Sequence, residues 1–289
     1  MKKLAIVCDS SVCFTPEKIK KYNVFIAPLT LIHNNTEYLD QETISKEEVH
    51  ELLSKKEKIM TSQPNLGSLI KLFEAIRDEG YEQILAVTLS SNLSGTYSAF
   101  NQAASHVEGC EIHVVDSFTL GGPVQQTVKL IRAMELNGVS IDEMITRINT
   151  FLLHTESFVY PQNLDQLRVS GRISKHAATL ASLLKIKPLL YLENHGLTIE
   201  KFGTARTETK IFELLIKHMK EQGVTPESYD FYYLHSDAKE ITTRLRDAIS
   251  ESFGTHDAYI MDLPAAVATH AGLGTVAIQW IPKTDKYIK

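Results

Sequence analysis

The stretch that decides the fold is QILAVTLSSNLSGTYSAF, which runs from Gln83 to Phe100. Its apolar beginning predicts a buried parallel strand, and its small-residue end predicts a helix. The turn between them places free backbone N–H groups and many hydroxyls at a helix N-terminus, which favours a bound anion. A helix cap at Ser94 or Thr96 explains the same composition equally well. The turn therefore predicts either an anion-binding site or a capped helix.

Two further strands of the N-terminal half end in the same pair of residues. A predicted strand over residues 4–8 is followed by Asp9-Ser10, and one over residues 111–115 is followed by Asp116-Ser117. Helical segments separate these strands, which predicts a parallel sheet with helical crossovers. Ligands bind such sheets beyond the carboxyl ends of the strands. The two Asp-Ser pairs and the Ser90–Thr96 turn are therefore expected to face one crevice, which favours the anion site.

The composition is that of an ordinary globular protein. With 289 residues the chain is longer than a typical single core, so two domains are expected. A net charge of −5 gives no electrostatic reason to expect nucleic acid as a partner. The apolar runs are too short to span a bilayer, and the start of the chain does not resemble a signal peptide. Three cysteines without a CxxC spacing are expected to be reduced, which predicts a cytoplasmic protein.

The domain boundary is predicted near Tyr160, at the end of a short strand. Residues 1–160 then form an N-terminal α/β domain, and residues 161–289 form a second α/β domain. In the second domain, the pattern predicts an apolar helix over residues 177–184 and a strand pair around a hairpin turn at residues 193–196. Strands and helices continue to alternate after this pair, so both domains are expected to contain a sheet with flanking helices.

Five segments spread along the chain together resemble the DegV family of bacterial fatty-acid-binding proteins. They are Asp9-Ser10-Ser11, Thr61-Ser62-Gln63-Pro64, Ser90–Tyr97, Gly171-Arg172-Ile173 with Lys187-Pro188, and Thr269–Gly274. No single segment is specific, but their order and spacing extend over nearly the whole chain. The chain departs from the family pattern at Asn92, where Gly is usual, and at Ala271 and Leu273, where a Thr-Gly-Pro-Gly run is common.

The resemblance implies a fold of two α/β domains, the first with a mainly parallel sheet and the second with a mixed sheet. Proteins of this kind bind one long-chain fatty acid, with the carboxylate at the domain interface and the acyl chain in an apolar tunnel, largely within the C-terminal domain. A separate ATP-dependent fatty acid kinase phosphorylates the carboxylate, and the acyl-phosphate enters phospholipid synthesis. The chain itself is then a non-catalytic carrier, with no metal and no cofactor besides the bound fatty acid.

The resemblance also assigns the residues that hold the carboxylate. The implied contacts are Thr61, Ser94 and His270, with Ser62 and Gly95 as their neighbours in the same segments. Without the resemblance, Thr61 is explained as well by a helix cap, and His270 by a core histidine. The carboxylate contacts are therefore expectations that depend on the family.

Two arginines, Arg172 and Arg206, match positions that the resemblance places towards the kinase or its phosphate. Arg172 follows Gly171, so a simpler explanation is a cation at a helix C-terminus. Arg206 lies on a predicted turn, and an ordinary solvent-exposed side chain without a function explains its position as well. A transient contact with a membrane surface also stays open.

Elementary energetics agree with a fatty acid ligand. A buried carboxylate must receive several hydrogen bonds, because an unpaired charge inside a protein is costly. Hydroxyls of Thr61 and Ser94 and an N–H of His270 can supply them, at about 1.5–3 kcal/mol for each charge-assisted bond. About fourteen buried methylenes contribute roughly 11 kcal/mol before ordering costs. The tail is therefore expected to dominate affinity, and the polar end to set orientation.

Two other functions are compatible with the same residues. One is a serine hydrolase using Ser94, His270 and Asp9, although the turn lacks the G-x-S-x-G spacing of a nucleophile elbow. The other is a lipid sensor without a kinase partner. The sequence has no HExxH motif or zinc-ligand cluster and no Walker or Rossmann fingerprint, so ATP is not expected to bind here. Asp9 is expected to accept backbone hydrogen bonds, because it would repel a ligand carboxylate.

Overall fold

The computed structural model describes residues 2–179, 186–193 and 198–288. The strands are β1 (Leu4–Asp9), β2 (Val24–Ala27), β3 (Thr30–His33), β4 (Thr36–Leu39), β5 (Ile59–Ser62), β6 (Gln83–Thr88), β7 (Glu111–Asp116), β8 (Glu156–Tyr160), β9 (Lys187–Glu193), β10 (Thr198–Ala205), β11 (Tyr229–Ser236), β12 (Ala258–Asp262) and β13 (Thr275–Pro282). The helices are α1 (Pro16–Tyr22), α2 (Lys46–Ser54), α3 (Leu66–Asp78), α4 (Thr96–Ala104), α5 (Gly122–Leu136), α6 (Ile141–Leu152), α7 (Asp165–Ser170), α8 (Lys175–Ala178), α9 (Glu208–Glu221), α10 (Lys239–Phe253), α11 (Ala265–Ala271) and α12 (Asp285–Ile288). Of these helices, none is long and apolar enough to cross a membrane.

The first sheet has four parallel strands in the order β2-β1-β6-β7. β6, which the sequence predicts to be buried and parallel, lies between β1 and β7, and its residues Ile84–Val87 are fully buried. α3 and α4 cover one face of the sheet with residues such as Phe73 and Phe100. α5 and α6 cover the other face. The predicted parallel sheet with helical crossovers is therefore confirmed.

A small antiparallel sheet carries Thr61. β3 and β4 form a hairpin in which Asn34 and Asn35 both have positive φ, 49° and 60°, as tight hairpin turns require. β5 pairs with the other edge of β3. A helix cap at Thr61, the alternative that the sequence leaves open, is wrong, because Thr61 lies within β5 and Asn65 caps α3. Side chains alternate along a strand, so Thr61 and Ser62 lie on opposite faces.

The second sheet has six strands in the order β10-β9-β8-β13-β11-β12. It is mixed, because β11 and β12 are parallel whereas the other described pairs are antiparallel. Two α/β domains, one with a parallel sheet and one with a mixed sheet, are confirmed. β8 pairs with β13 and β9, and a boundary at Tyr160 would separate it from its own sheet. We therefore propose that the boundary between the domains falls before Glu156.

Two predictions in the second half lie partly outside the described residues. α8 forms the beginning of the apolar helix predicted over residues 177–184, and residues 180–185 are outside the description. The hairpin turn predicted at residues 193–196 also lies outside it, apart from the end of β9. The strands on either side of that turn, β9 and β10, are antiparallel, as predicted.

The two faces of the six-stranded sheet differ in side-chain size. On one face, large side chains such as Phe158, Tyr160 and Trp280 pack beneath α9 and α10. The alternate residues of β8 and β13 face α5 and the N-terminal half, and they are small or polar. These residues are Ser157, Val159, Thr275, Ala277 and Gln279. Small side chains fill less space, and an apolar cavity lies on this face.

The two halves of the chain share one hydrophobic core. Buried residues of β1 and α5 join buried residues of β11 and α11 in a single cluster. α5 approaches β11 so closely that a Cβ on Gly122 would lie 2.1 Å from Cγ of Tyr232. Only glycine fits at this position, and the close contact fixes α5 between the two sheets.

Candidate functional site

Two carboxylates hold the turn that follows β6. Asp9 accepts hydrogen bonds from the N–H of Leu89 at 2.7 Å and from the N–H of Ser11 at 2.9 Å, and burial raises the pKa of its carboxyl. Asp116 accepts a hydrogen bond from the N–H of Ser91 at 3.2 Å. The carboxyl ends of β1, β6 and β7 therefore meet at one edge of the sheet, as predicted. Asp9 accepts backbone hydrogen bonds, also as predicted.

Ser94 contributes to the start of α4. Its Oγ lies 2.8 Å from Oγ1 of Thr96 and accepts a hydrogen bond from the Thr96 N–H at 3.3 Å. Ser94 is half-buried, whereas Gly95 is exposed. A Cβ on Gly95 would lie 3.1 Å from Oε1 of Gln63, so the absence of a side chain lets the loop after β5 approach this turn. The N-cap of α4 is Gly95, which has no side chain to cap the helix, so the helix-cap interpretation is wrong for both Ser94 and Thr96. The role of Ser94 towards a ligand stays a prediction.

His270 lies at the end of α11 and joins the two halves of the chain. Its Nε2 lies 2.6 Å from Oγ1 of Thr61, a residue 209 positions away in the sequence. Burial, together with the positive charge of Arg172, lowers the pKa of His270 to about 4. The ring is therefore neutral near pH 7, with one nitrogen as donor and the other as acceptor. Its Nδ1 is buried and has no hydrogen-bond partner among the described residues.

Arg172 lies beside this histidine, at the end of α7. Its guanidinium donates to the carbonyl of Ser170 at 2.5 Å and to the carbonyl of Leu93 at 3.5 Å. Both of these acceptors are backbone carbonyls, and no ion pair joins Arg172 to a carboxylate of the described residues. A half-buried cation whose described partners are carbonyls retains most of its charge for a further anionic partner. The arginine thus adds positive charge to the end of the site where Thr61 and His270 meet.

An apolar cavity begins at His270 and Arg172. It encloses about 750 Å³ of empty space, part of it open to solvent. Apart from these two residues and three polar side chains of β8 and β13, its walls are apolar. The apolar lining residues are Leu89, Leu93, Leu120, Val159, Leu167, Leu192, Ile199, Leu234, Leu263, Val267, Ala271 and Ala277. Both halves of the chain contribute, so the cavity lies at their interface.

The structure brings only some of the predicted site residues together. Thr61 contacts His270, Arg172 lines the same cavity, and Ser94 directly follows Leu93, which also lines it. Ser62 is exposed on the other face of β5. Arg206 is exposed beyond the end of β10. Ile173, next to Arg172, pairs with Ile199 near the beginning of β10. Six strand residues at about 3.3 Å each separate these two places by roughly 20 Å.

The arrangement required of a serine hydrolase is not assembled. The hydroxyl of Ser94 contacts Thr96, His270 contacts Thr61, and Asp9 accepts hydrogen bonds from backbone N–H groups. In such an enzyme the nucleophile is hydrogen-bonded to its base, and the base is hydrogen-bonded to the group that orients it. No hydrogen bond joins any two of Ser94, His270 and Asp9. Within the described ranges, no group of His, Cys, Asp and Glu side chains could hold a metal ion.

One set of site residues was not identified from the sequence. Gln279 is buried on the cavity face of β13 and lies 3.0 Å from Oγ of Ser157 and 3.3 Å from Oγ1 of Thr119. The only sequence signal was a glutamine inside the otherwise apolar run TVAIQWIP. Gln279 and its partners come from three separate parts of the chain, so the pattern of any one part could not reveal the network.

Comparison with known families gives a match over nearly the whole chain. The model of the DegV family, described as uncharacterised proteins, matches residues 3–283. A DegV domain-containing protein of Staphylococcus aureus is 31% identical over 287 residues, covering 98% of this chain and 100% of that protein. One from Halalkalibacterium halodurans is 29% identical over 282 residues, covering 97% and 99%. The similarity therefore extends over both halves of the molecule.

Solved structures agree with the sequence comparison. A fatty acid binding DegV family protein from Streptococcus agalactiae superimposes with a TM-score of 0.89 at 25% identity, over 98% of this chain and 100% of the other. A Thermotoga maritima protein, whose structure revealed a fatty acid binding function, gives a TM-score of 0.82 at 26% identity, over 98% and 100%. With a family match from residue 3 to residue 283, this chain belongs to the DegV family.

Proposed function

We propose that this protein binds one long-chain fatty acid, with the carboxylate at Thr61, Ser94 and His270 and the acyl chain in the adjoining cavity. The observation that supports this most directly is the combination of an apolar cavity with a cationic and hydrogen-bonding end. The fatty acid binding of the Streptococcus agalactiae and Thermotoga maritima proteins, which share this fold, supports the same ligand class.

The polar end supplies what a buried carboxylate requires. When Thr61 donates its hydroxyl hydrogen to Nε2 of His270, the proton of the neutral ring resides on Nδ1, which is the buried atom without a described partner. That N–H is then available to a carboxylate oxygen. The charge of Arg172 compensates the negative charge of the ligand, which lowers the cost of burying it. Ser94 and the backbone beside Gly95 add further donors at the positive end of α4.

We further propose that the loaded protein is the substrate carrier of a separate ATP-dependent fatty acid kinase. The kinase phosphorylates the carboxylate, and the acyl-phosphate enters phospholipid synthesis in the cytoplasm. Arg206 is exposed and has no described hydrogen-bond or ion-pair partner, so it is a candidate contact for the kinase. Arg172 lies close enough to the carboxylate site to contact a transferred phosphate. A sensor that binds the same ligand without a kinase is the competing proposal.

Native mass spectrometry of the gently purified protein tests ligand binding. We expect one long-chain fatty acid per chain, and uptake of oleate by protein from which lipid has been removed. Thr61→Val keeps the shape of the side chain but removes the hydroxyl that holds the proton of the His270 ring on Nδ1, so we expect affinity for oleate to fall roughly ten- to hundredfold, the effect of losing the Nδ1 hydrogen bond to the charged carboxylate.

Thr61→Ser is the matched control for this substitution, because it retains a hydroxyl at the same position. We expect its affinity for oleate to stay close to that of the wild type. A protein that is isolated without lipid and takes up no added oleate would contradict the proposal. Release of product from an ester substrate, abolished by Ser94→Ala while lipid stays bound, would favour the hydrolase instead.

A further inference from the structure

Asp40 is a buried carboxyl at a junction between separate parts of the chain. It follows β4 directly and is only 1% exposed. Its Oδ2 accepts a hydrogen bond at 2.7 Å from the hydroxyl of Ser10, in the short turn after β1. That hydroxyl accepts a hydrogen bond at 3.1 Å from the N–H of Leu29, just before β3, whose carbonyl accepts one from the N–H of Asp40 at 2.9 Å. Asp40 therefore holds the beginning of the small antiparallel sheet against the turn after β1.

The same carboxyl faces the first turn of α11. Pro264, which precedes α11, has no side chain that caps the helix, and the first turn contains no acidic residue. Burial raises the pKa of the Asp40 carboxyl to about 6, against the opposing effect of the nearby N–H of Ala266. Its second oxygen, Oδ1, forms no hydrogen bond among the described residues, so its interaction with this N–H is electrostatic. A negative charge near first-turn N–H groups stabilises a helix, and Asp40 supplies this charge from another element.

Asp40 and the polar end of the cavity join the same two elements. Within the small sheet, Thr30 of β3 pairs on one side with the residue before Asp40 and on the other side with the residue after Thr61. In α11, His270 follows Ala266 by four residues, which is about one helical turn. The 2.6 Å contact between Thr61 and His270 thus bridges the small sheet and α11 about one turn away from the bridge that Asp40 makes.

We propose that Asp40 is a positioning residue for the carboxylate site, because it holds the start of α11 against the small sheet and thereby keeps His270 in contact with Thr61. This inference rests on the proposed function. A hydrogen bond weakens steeply when its geometry is lost. Without the Thr61 hydroxyl at Nε2, the neutral ring can carry its proton on either nitrogen. A ring with its proton on Nε2 presents a lone pair to the ligand carboxylate and repels it.

Asp40→Ala removes the carboxyl, and two measurements test the consequence. Nitrogen NMR of the lipid-free protein at pH 7 shows which nitrogen of His270 carries the proton, and isothermal titration measures affinity for oleate. We expect a single tautomer in the wild type, with the proton on Nδ1, and both tautomers in Asp40→Ala. We expect the affinity of Asp40→Ala to fall roughly tenfold, because the Nδ1 hydrogen bond to the carboxylate is weakened.

A second variant separates the charge of Asp40 from its hydrogen bond. Asp40→Asn fills the same space and can still accept the hydrogen bond from Ser10, so it loses only the charge that faces α11. We expect it to bind oleate roughly two- to fivefold more weakly, the effect of one charge at a helix terminus. Asp40→Asn decides the test if Asp40→Ala does not fold.

Asp230 provides the matched control. It is also a buried carboxyl, but its partner is the side-chain amide of Gln126, and it lies near the beginning of β11, away from α11 and the small sheet. Asp230→Ala should lower the free energy of unfolding while leaving the His270 tautomer and the affinity for oleate unchanged. A residue that only stabilises the fold behaves in this way.

Wild-type affinity and a single Nδ1 tautomer in both Asp40 variants would overturn the positioning role. Equal losses of affinity in Asp40→Ala and Asp230→Ala would overturn it as well, because they would reflect a general packing defect. Failure of the wild type to bind oleate would reject the proposed function. The tautomers of the lipid-free proteins need no ligand, so they would still decide whether Asp40 holds Thr61 and His270 together.

Discussion

His270 is placed so that it stays neutral and still has a ring nitrogen available. Burial and the nearby charge of Arg172 lower its pKa to about 4, while Thr61 contacts only one of its two nitrogens. A buried donor without a described partner is uncommon, because it loses its hydrogen bond to water and gains none in return. A ligand carboxylate would supply that missing hydrogen bond, and its charge would raise the pKa of the ring.

The shifted pKa of His270 predicts how the stability of the empty protein depends on pH. In the unfolded chain the ring takes up a proton below about pH 6.5, whereas in the folded protein its pKa is about 4. Between these values the unfolded state binds more protons, so the free energy of unfolding falls as the pH is lowered. We expect the wild type to lose roughly 3 kcal/mol relative to His270→Gln between pH 7 and pH 4.

Urea denaturation of lipid-free protein at a series of pH values measures this difference. Asp40, whose pKa is raised to about 6 by burial, also titrates in this range, but it is present in both proteins and its effect cancels in the comparison. The exposed His154, changed to Gln, is the matched control. Parallel stability curves for the wild type and His270→Gln would show that the ring does not titrate as described.

At the level of residues, the sequence could predict which side chains carry the chemistry but not which way they point. Thr61 and His270 were both predicted as carboxylate contacts, and the structure places them 2.6 Å apart. Ser62 was included because it is next to Thr61, but the alternation of β5 turns it to the other face. Arg206 was paired with Arg172 by family position, and the length of β10 separates them. Orientation and distance depend on strand register, which the motifs do not encode.

The six-stranded sheet shows how one element can provide both a core and a binding site. Large aromatic residues on one face pack beneath α9 and α10, and this face stabilises the fold. Small residues on the other face leave space against the N-terminal half, and this face lines the cavity. Because side chains alternate, a substitution on β13 can be directed to either role by moving a single position.

Ala277→Phe should therefore block the site, because its side chain enters the cavity at the middle of β13. We expect at least a tenfold loss of affinity for oleate, since the ring displaces two or more methylenes from apolar surroundings. Val276→Ile is the matched control, because Val276 lines a separate small cavity on the opposite face, which a further methyl can occupy. Isothermal titration of lipid-free protein measures both affinities. Equal losses in the two variants would indicate a general packing defect and contradict the assignment of the faces.

For the elements, periodicity predicted the parallel sheet and the strand pair β9–β10 well, because each pattern belongs to one continuous segment. It did not predict the strand at Thr61, since Met60-Thr61-Ser62-Gln63-Pro64-Asn65 is rich in residues that also favour turns. β5 forms because β3 offers an open edge to pair with. Tertiary pairing decided this element, and no local preference of the sequence could reveal it.

In the assembled molecule, the cavity and the exposed Arg206 lie in different places and can be tested separately. We expect Arg206→Ala to keep its full content of fatty acid but to be phosphorylated more slowly by the cognate kinase. Arg172→Ala should lower both quantities, because Arg172 also lines the cavity. Arg246→Ala, which removes a half-buried arginine of α10 that pairs with Asp247, is the control. Equal phosphorylation rates for the wild type and Arg206→Ala would remove Arg206 from the kinase interface.

The contact between Thr61 and His270 has a consequence for the synthesis of the protein. The two residues are 209 positions apart, so Thr61 leaves the ribosome well before the histidine is added to the chain. A chain that stops before α11 contains most of the cavity strands but lacks the histidine at its polar end. Binding of a fatty acid stabilises only the state that binds it. The ligand is therefore expected to favour finished chains over nascent ones, so that fatty acids are retained by complete protein alone.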